Sequence, residues 1–122
     1  MRSLDSNIVA VKSKMFAVKC IRTRTYLCEE KREYDLSRQL LRSGTSIGAN
    51  VKEALRGQSR PDFGSKMNIA LKEASESEYW LELLQETEYI SAEQGNELLT
   101  DCRELIRLLT SIVKSTFESS VA

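Results

Sequence analysis

Two segments in the second half of the chain carry apolar or small residues at alternating spacings of four and three. In the first segment these residues are Phe63, Met67, Ala70, Ala74, Ser77, Leu81 and Leu84. In the second they are Leu98, Cys102, Leu105, Leu109, Ile112 and Thr116. This period places every member on one narrow face of an α-helix, which is the pattern of helices that pack side by side at a shallow angle. The chain is therefore predicted to fold as packed helices.

Start and stop signals divide the chain into four helices, at about 8–28, 34–56, 60–89 and 92–117, in a single domain over residues 1–122. Ser59 with Pro61 and Asp62 predicts the start of the third helix, and Ser91 with Gln94 predicts a capping box at the fourth. One proline and five glycines are too few for the turns of an all-β fold. Short connections make successive helices antiparallel, so the sequence predicts an all-α, up-down antiparallel four-helix bundle.

The stretch LLRSGTSIGANVKEA at 40–54 looks helical at both ends, yet its centre is rich in glycine, serine and threonine. These residues are poor helix formers. The four-three spacing of the other helices brings Ser43 and Asn50 onto the inward face, which predicts a tight crossing that contains a polar network. The predicted network residues are Arg42, Ser43, Ser46, Asn50, Glu53, Lys66, Glu73 and Trp80, with Glu76 as a further acceptor. A ligand pocket lined by Asn50, Glu53 and Glu73 is the alternative.

The formal net charge is zero, with 18 basic and 18 acidic residues, but the charges are unevenly distributed. Residues 1–28 hold six basic groups and one acid, whereas residues 63–122 hold five basic groups and eleven acids. Such a dipolar subunit indicates either pairing of opposite charges, within a subunit or between copies, or a basic surface for nucleic acid. The candidate phosphate-binding residues are Lys12, Lys14, Lys19, Arg22, Arg24, Arg38, Arg42, Lys52, Arg56 and Arg60.

Few residues of this chain suit catalysis. Histidine is absent, which removes the commonest general base and metal ligand, and three scattered cysteines do not form a zinc site. Only Glu53, Glu73 and Glu76 offer facing carboxylates for acid–base chemistry. We expect no enzymatic activity, no cofactor, no metal and no small-molecule substrate. The cysteines, with no signal peptide and no membrane-length apolar run, predict a cytoplasmic protein that does not enter a membrane.

Four strings of the sequence resemble one family of bacterial proteins. They are KSKMFAVK at 12–19, QLLRSGTSIGANVKEAL at 39–55, the S-x-x-D-F motif at 59–63, and KMNIALKEASESEYWLELL at 66–84. In this order they resemble the four-helix-bundle proteins associated with 23S ribosomal RNA, which are typically encoded within intervening sequences of the rRNA genes. The resemblance covers about residues 8–113. Accessory proteins of diversity-generating retroelements are similar at a greater distance and lack the SGTSIGAN string.

The resemblance implies a four-helix bundle that assembles into a homopentameric barrel without known enzymatic activity. The retroelement relatives bind nucleic acid and reverse transcriptase through a basic surface. Ser77 stands where the family often has threonine, and Arg60 with Pro61 where it often has lysines. Two hypotheses therefore follow: a self-assembling bundle that binds rRNA or another nucleic acid through helices one and two, or an oligomeric structural and protein-interaction module.

Overall fold

A computed structural model describes residues 4–119 of the chain, and these residues form four helices. The helices are α1 (Leu4–Lys31), α2 (Asp35–Leu55), α3 (Arg60–Glu86) and α4 (Ala92–Ser119). Each helix packs against the next along the chain, and α4 returns to pack against α1. Because the connections are short, neighbouring helices run antiparallel. The prediction of an all-α, up-down four-helix bundle is confirmed within residues 4–119, where no strand is present.

Local hydrogen bonds account for where the helices begin and end. Ser91 and Gln94 form the capping box at α4, with Ser91 Oγ accepting from the Gln94 amide at 3.0 Å and Gln94 Oε1 accepting from the Ser91 amide at 2.9 Å. Helix α3 ends at Glu86, before the predicted position 89. Glu88 there adopts a left-handed φ of 63°, which lets the Tyr89 amide donate to the Leu84 carbonyl at 3.0 Å.

The first helix is longer than predicted at both ends. It begins at Leu4 rather than Ile8, and Asp5 in its first turn interacts favourably with the positive end of the helix dipole. It ends at Lys31 rather than near Cys28, where Arg32 turns the chain with a left-handed φ of 51°. The apolar pattern therefore predicted only the turns of α1 that face the core. The additional turns at both ends of the helix are mostly polar, so the pattern did not include them.

The core follows the spacing that predicted the bundle. All seven positions of the α3 pattern, from Phe63 to Leu84, are buried, and so are the α4 positions from Leu98 to Ile112. The largest fully buried side chains from the first two helices are Phe16, Leu27, Leu40 and Ile47. Each such side chain stabilises the fold by about 1.5 to 3 kcal/mol through removal of apolar surface from water.

The two glycines of α2 lie against α1. A Cβ atom at Gly44 would overlap the Sγ atom of Cys20, and one at Gly48 would lie 3.3 Å from Ser13 Oγ. The tight crossing expected from the sequence therefore exists at these two glycines, and the helix that they contact is α1. The polar contact expected in this stretch is made elsewhere, on the side of α2 that packs against α3, where Ser43 meets Ser77. The glycines and the serines of this stretch thus serve two different neighbours.

Candidate nucleic-acid interface

The outer face of α2 carries a row of cations. Arg38, Arg42, Lys52 and Arg56 are all exposed, and the four-three spacing continues between them through Thr45 and Ala49. We call these four basic residues the α2 cation row. From Arg38 to Arg56, the residue that caps the C-terminus of α2, the row spans about 27 Å at 1.5 Å per residue. A straight row of this kind presents positive charge along one direction, as contact with successive phosphates of a nucleic acid requires.

The members of the α2 cation row differ in how they are paired. Arg42 forms ion pairs with Glu73 and Glu76 on α3, and Arg38 lies 3.7 Å from Asp35 on its own helix. Within residues 4–119 no ion pair involves Lys52 or Arg56. Arg60, at the start of α3, is likewise exposed and unpaired in this part of the chain. The strongest candidates for phosphate contact therefore lie near the α2–α3 turn.

The basic residues of α1 do not form one surface. Lys12 pairs with Glu104 at 2.9 Å, and Lys19 pairs with Asp101 at 2.6 Å and Glu97 at 3.1 Å, all on α4. The hydrogen bond to Asp101, followed by that to Glu97, raises the pKa of Lys19. Opposite charges of the two halves of the chain are thus joined in part within one subunit.

The other three α1 cations point in two directions. Lys14 and Arg22 lie on the exposed side of the helix, opposite the core. Arg24 is half-buried, and its Nε atom is enclosed without a hydrogen-bond partner among the described residues. The ten predicted cations consequently separate into an α2 row with Arg60, a pair of lysines at α4, and isolated groups on α1.

A polar network that includes the Arg42 guanidinium joins α2 to α3. Arg42 donates to Glu73 Oε2 at 3.0 Å and also to Glu76, while Trp80 Nε1 donates to Glu76 Oε1 at 3.1 Å. The hydrogen bond from Arg42 lowers the pKa of Glu76, so this carboxylate stays ionised. Because both carboxylates are engaged by a cation, this cluster is suited to joining helices and poorly suited to acid–base chemistry.

The interior part of this network consists of two hydroxyls. Ser43 Oγ and Ser77 Oγ lie 2.8 Å apart with both residues fully buried, and Ser77 also donates to the Glu73 carbonyl at 2.9 Å. Asn50, expected on the inward face, is only half-buried and donates to the Ser46 carbonyl of its own helix at 2.8 Å. The prediction for Asn50 is wrong, and the interhelical bond is made by Ser43 with Ser77.

The remaining members of the predicted network lie nearer the α2–α3 turn. Ser46 Oγ donates to the Arg42 carbonyl at 2.6 Å, and Lys66 Nζ lies 3.9 Å from Glu53 Oε1. Glu53 is exposed and Asn50 donates to its own helix, so neither side chain contacts Glu73.

The N-terminus of α2 is filled by a carboxylate that sequence reasoning missed. Glu33 is buried, and its two carboxylate oxygens accept from the backbone amides of Leu36 at 2.9 Å, Ser37 at 2.7 Å and Asp35 at 3.2 Å. Such amides are otherwise available to an external anion. These three amides of α2 are therefore already engaged within the chain. The signal available in the sequence was an acidic residue just before a helix.

Three further kinds of functional feature can be assessed in the described part of the chain. Residues 4–119 hold no cluster of acidic and cysteine side chains that could bind a metal ion. Burial raises the pKa of the Cys102 thiol to about 12 and also raises the pKa of the Cys20 thiol, which favours the protonated, less reactive form of each. None of the four helices in this range combines the length and hydropathy needed to cross a bilayer.

Comparison with known proteins now identifies the family. Residues 5–111 match the model of the family described as 23S rRNA-intervening sequence protein. The chain belongs to this family. The expected resemblance is confirmed, and it extends over most of the chain. A comparison with curated proteins finds no match.

A solved structure supports the same conclusion. The crystal structure of a protein of unknown function from the S23 ribosomal protein family of Bacteroides thetaiotaomicron VPI-5482 superposes with a TM-score of 0.89. It is 52% identical in sequence, and the alignment covers 91% of this chain and 99% of that one. Within this 23S rRNA-intervening sequence protein, the SGTSIGAN string at 43–50 is the segment where α2 contacts both α1 and α3.

Proposed function

We propose that this member of the 23S rRNA-intervening sequence protein family is a non-enzymatic, self-assembling bundle that binds the phosphate backbone of structured RNA. The observation that carries the proposal is the α2 cation row, whose lower end at Lys52 and Arg56 is exposed and unpaired within residues 4–119. Arg60 extends this end of the row across the α2–α3 turn. The name of the family, which refers to 23S rRNA, supports RNA as the nucleic acid.

Backbone contact without sequence reading fits the residues available. Lysine and arginine on a rigid helix face neutralise phosphates, whereas reading of unpaired RNA bases requires exposed aromatic side chains beside the cations. The α2 cation row contains only Thr45 and Ala49 between its charged members. The α2 cation row of one subunit would bind RNA only weakly. The proposed assembly, with five subunits as the family resemblance implies, would repeat the row around the oligomer and raise the affinity for RNA by multivalency.

The test is the salt dependence of RNA binding by matched charge variants. We expect a fluorescein-labelled RNA duplex to bind the wild type at 50 mM NaCl and to weaken roughly 30- to 100-fold by 200 mM, because about three phosphate contacts release counterions. The double variant Lys52→Gln/Arg56→Gln should bind at least about tenfold more weakly at 50 mM.

The control is Lys72→Gln/Lys114→Gln, which makes the same change of net charge at exposed lysines on α3 and α4 that form no ion pair with any described residue. Its affinity should stay within about threefold of the wild type, since those lysines lie outside the row. Equal losses in both double variants would indicate a diffuse effect of net charge and contradict the proposed site. A wild type that ignores RNA at both salt concentrations would exclude the function itself.

A second candidate function is an oligomeric structural or protein-interaction module without nucleic acid. It is favoured by the ion pairs of Lys12 and Lys19 with α4, because these cations are already neutralised within the subunit. Under this hypothesis total bacterial rRNA leaves the mass of the oligomer unchanged at both salt concentrations. Light scattering with and without total bacterial rRNA, at both salt concentrations, distinguishes the two functions.

A further inference from the structure

A groove opens between α1 and α4 at the end of the bundle where α4 begins. We call it the α1–α4 groove, and the residues that line it include Arg22, Thr23, Tyr26, Ile90 and Leu98. Its volume of about 360 Å³ lies within the range of pockets that hold small organic molecules. Ile90 and Leu98 are buried and line its inner side, while Tyr26 is half-buried. An apolar inner side with one aromatic ring is the usual lining of a small-molecule site.

Two polar side chains that line the groove are engaged locally and do not fill it. Thr23 Oγ1 donates to the Lys19 carbonyl of its own helix at 2.7 Å. Gln94 Oε1 accepts from the Ser91 amide at 2.9 Å as part of the α4 capping box. Because these bonds hold both side chains against their own helices, the space between α1 and α4 stays open.

The charges around the groove leave one cation without a partner. Lys19 is paired with Glu97 at 3.1 Å and with Asp101 at 2.6 Å. Arg22 also lines the groove and is exposed, and it forms no ion pair or hydrogen bond with any residue in 4–119. The groove therefore offers a guanidinium to a ligand, and the planar set of donors on a guanidinium matches the two oxygens of a carboxylate.

We infer that the α1–α4 groove binds a small aromatic carboxylate, with its ring on Ile90 and Leu98 and its carboxylate on Arg22. This site is separate from the proposed RNA site, because the α2 cation row lies on another helix. The inference concerns binding alone, and the expectation of no enzymatic activity is unchanged.

An aromatic body with one negative charge suits the groove best. The ring of Tyr26 can contact a second ring in an offset or edge-to-face arrangement, which stabilises the complex beyond the area that is buried. A rigid ring also loses little conformational freedom on binding. Since Lys19 and Glu97 compensate each other, Arg22 supplies a single positive charge, which one carboxylate balances.

A nucleic acid fits the α1–α4 groove poorly. Its backbone brings a phosphate with every nucleotide, whereas the groove offers one unpaired cation within the described residues. The Glu97 carboxylate, which also lines the groove, is largely exposed and would repel further phosphates. The apolar inner side would lie against a polar ribose–phosphate chain. One anionic group on an apolar body matches both the charge and the lining.

The test is the binding of 2-naphthoate, measured by the broadening of its proton NMR signals as protein is added. We expect the wild type to bind it with a Kd below about 1 mM. The amide 2-naphthamide has the same rings without the charge and should bind about tenfold more weakly, because it lacks the charge-assisted hydrogen bonds to the guanidinium.

Three variants locate the ligand. Arg22→Gln should weaken 2-naphthoate at least about tenfold and leave the affinity for 2-naphthamide unchanged. Lys14→Gln removes another exposed cation of α1 that does not line the groove, and its affinity should stay within about twofold of the wild type. Thr23→Phe fills the groove and should remove the binding of both compounds. Far-UV circular dichroism should show unchanged helix content in all three variants.

Four results would overturn the inference. They are absence of 2-naphthoate binding by the wild type, equal losses in Arg22→Gln and Lys14→Gln, wild-type affinity in Thr23→Phe, and displacement of 2-naphthoate by the RNA duplex at low salt. The last result would assign the groove to RNA. Binding of both ligands without displacement supports two separate sites, and a wild type that binds 2-naphthoate but ignores RNA would exclude only the proposed function.

Discussion

The α2–α3 contact and the α1–α4 contact hold adjacent helices together in opposite ways. We call the line along which two neighbouring helices pack their seam. In the α2–α3 seam, Ser43 and Ser77 are buried inside, and Arg42 pairs with two carboxylates at the solvent-exposed edge. Between α1 and α4, Lys12 and Lys19 reach across the outside of the seam to acids on α4. Beside them lies an open groove of about 360 Å³, with Tyr26 and Ile90 among its lining residues.

The difference indicates that the α2–α3 contact fixes the alignment of its two helices, whereas the α1–α4 contact does not. A buried hydroxyl pair tolerates one alignment of the two helices, since any slip would leave a polar group unsatisfied in the core. Ion pairs between long exposed side chains adapt to several alignments and contribute little. We therefore expect the α2–α3 contact to dominate stability, and the α1–α4 contact to respond mainly to salt.

The largest effect should come from filling the α2–α3 seam. Ser77→Leu places a bulky side chain at a fully buried position and deprives Ser43 of its partner, which should cost about 2 to 3 kcal/mol of unfolding free energy. Urea denaturation at pH 7 measures the change. Ser75→Leu, at an exposed position on the same helix, is the control and should cost less than about 0.5 kcal/mol. Equal destabilisation by both variants would contradict a dominant contribution of the α2–α3 contact to stability.

A smaller effect should appear when acid titrates the edge of the same seam. The hydrogen bond from Arg42 lowers the pKa of Glu76, so this carboxylate stabilises the fold at neutral pH. That contribution is lost as pH falls below about 4.5 through the depressed pKa. Because both side chains are partly exposed, we expect only about 0.5 to 1 kcal/mol.

Arg42→Gln provides the comparison for this acid effect. Between pH 7 and pH 3.5, unfolding free energy should fall further in the wild type than in Arg42→Gln, since the variant has already lost the pair. Arg38→Gln removes a long, exposed contact with Asp35 and should follow the wild-type pH profile. Parallel pH profiles for the wild type and Arg42→Gln would refute a stabilising role for this pair.

The smallest effect should come from the α1–α4 ion pairs. A double-mutant cycle with Lys19→Ala and Asp101→Ala should give a coupling of about 0.5 kcal/mol at low salt that disappears in 1 M NaCl. The matching cycle with Ser43→Ala and Ser77→Ala should keep its coupling at both salt concentrations, because the hydroxyl pair is buried and uncharged. A salt-insensitive Lys19–Asp101 coupling would remove the distinction between the two contacts.

Periodicity predicted the parts of the fold that depend on local spacing. The α3 positions from Phe63 to Leu84 were all found in the core because their spacing is a property of one helix. On α2 the same reasoning selected Asn50, whereas Val51 is the fully buried residue. At about 100° per residue, Asn50 lies at the edge of the face that Ile47 and Val51 occupy, and its amide reaches the carbonyl of its own helix.

Contacts between different helices were less accessible to sequence reasoning. The acids that pair with Lys12 and Lys19 lie more than 75 positions away along the chain, and nothing local connects them. Glu33 was missed since its role depends on the conformation of the turn that brings its carboxylate over the α2 amides. The α2 cation row, by contrast, was contained in the predicted set because three of its members lie on one helix and the fourth, Arg56, caps it.

The close approach of Gly44 to Cys20 links two positions that are distant in the sequence. A side chain at position 44 would overlap the Cys20 sulfur atom, and its Cβ would lie only 3.0 Å from the Cys20 Cβ. The two sites therefore share one small volume, and the occupant of either limits the other. Over evolutionary time they should change together, with alanine entering at position 44 only in lineages where position 20 has already lost its sulfur.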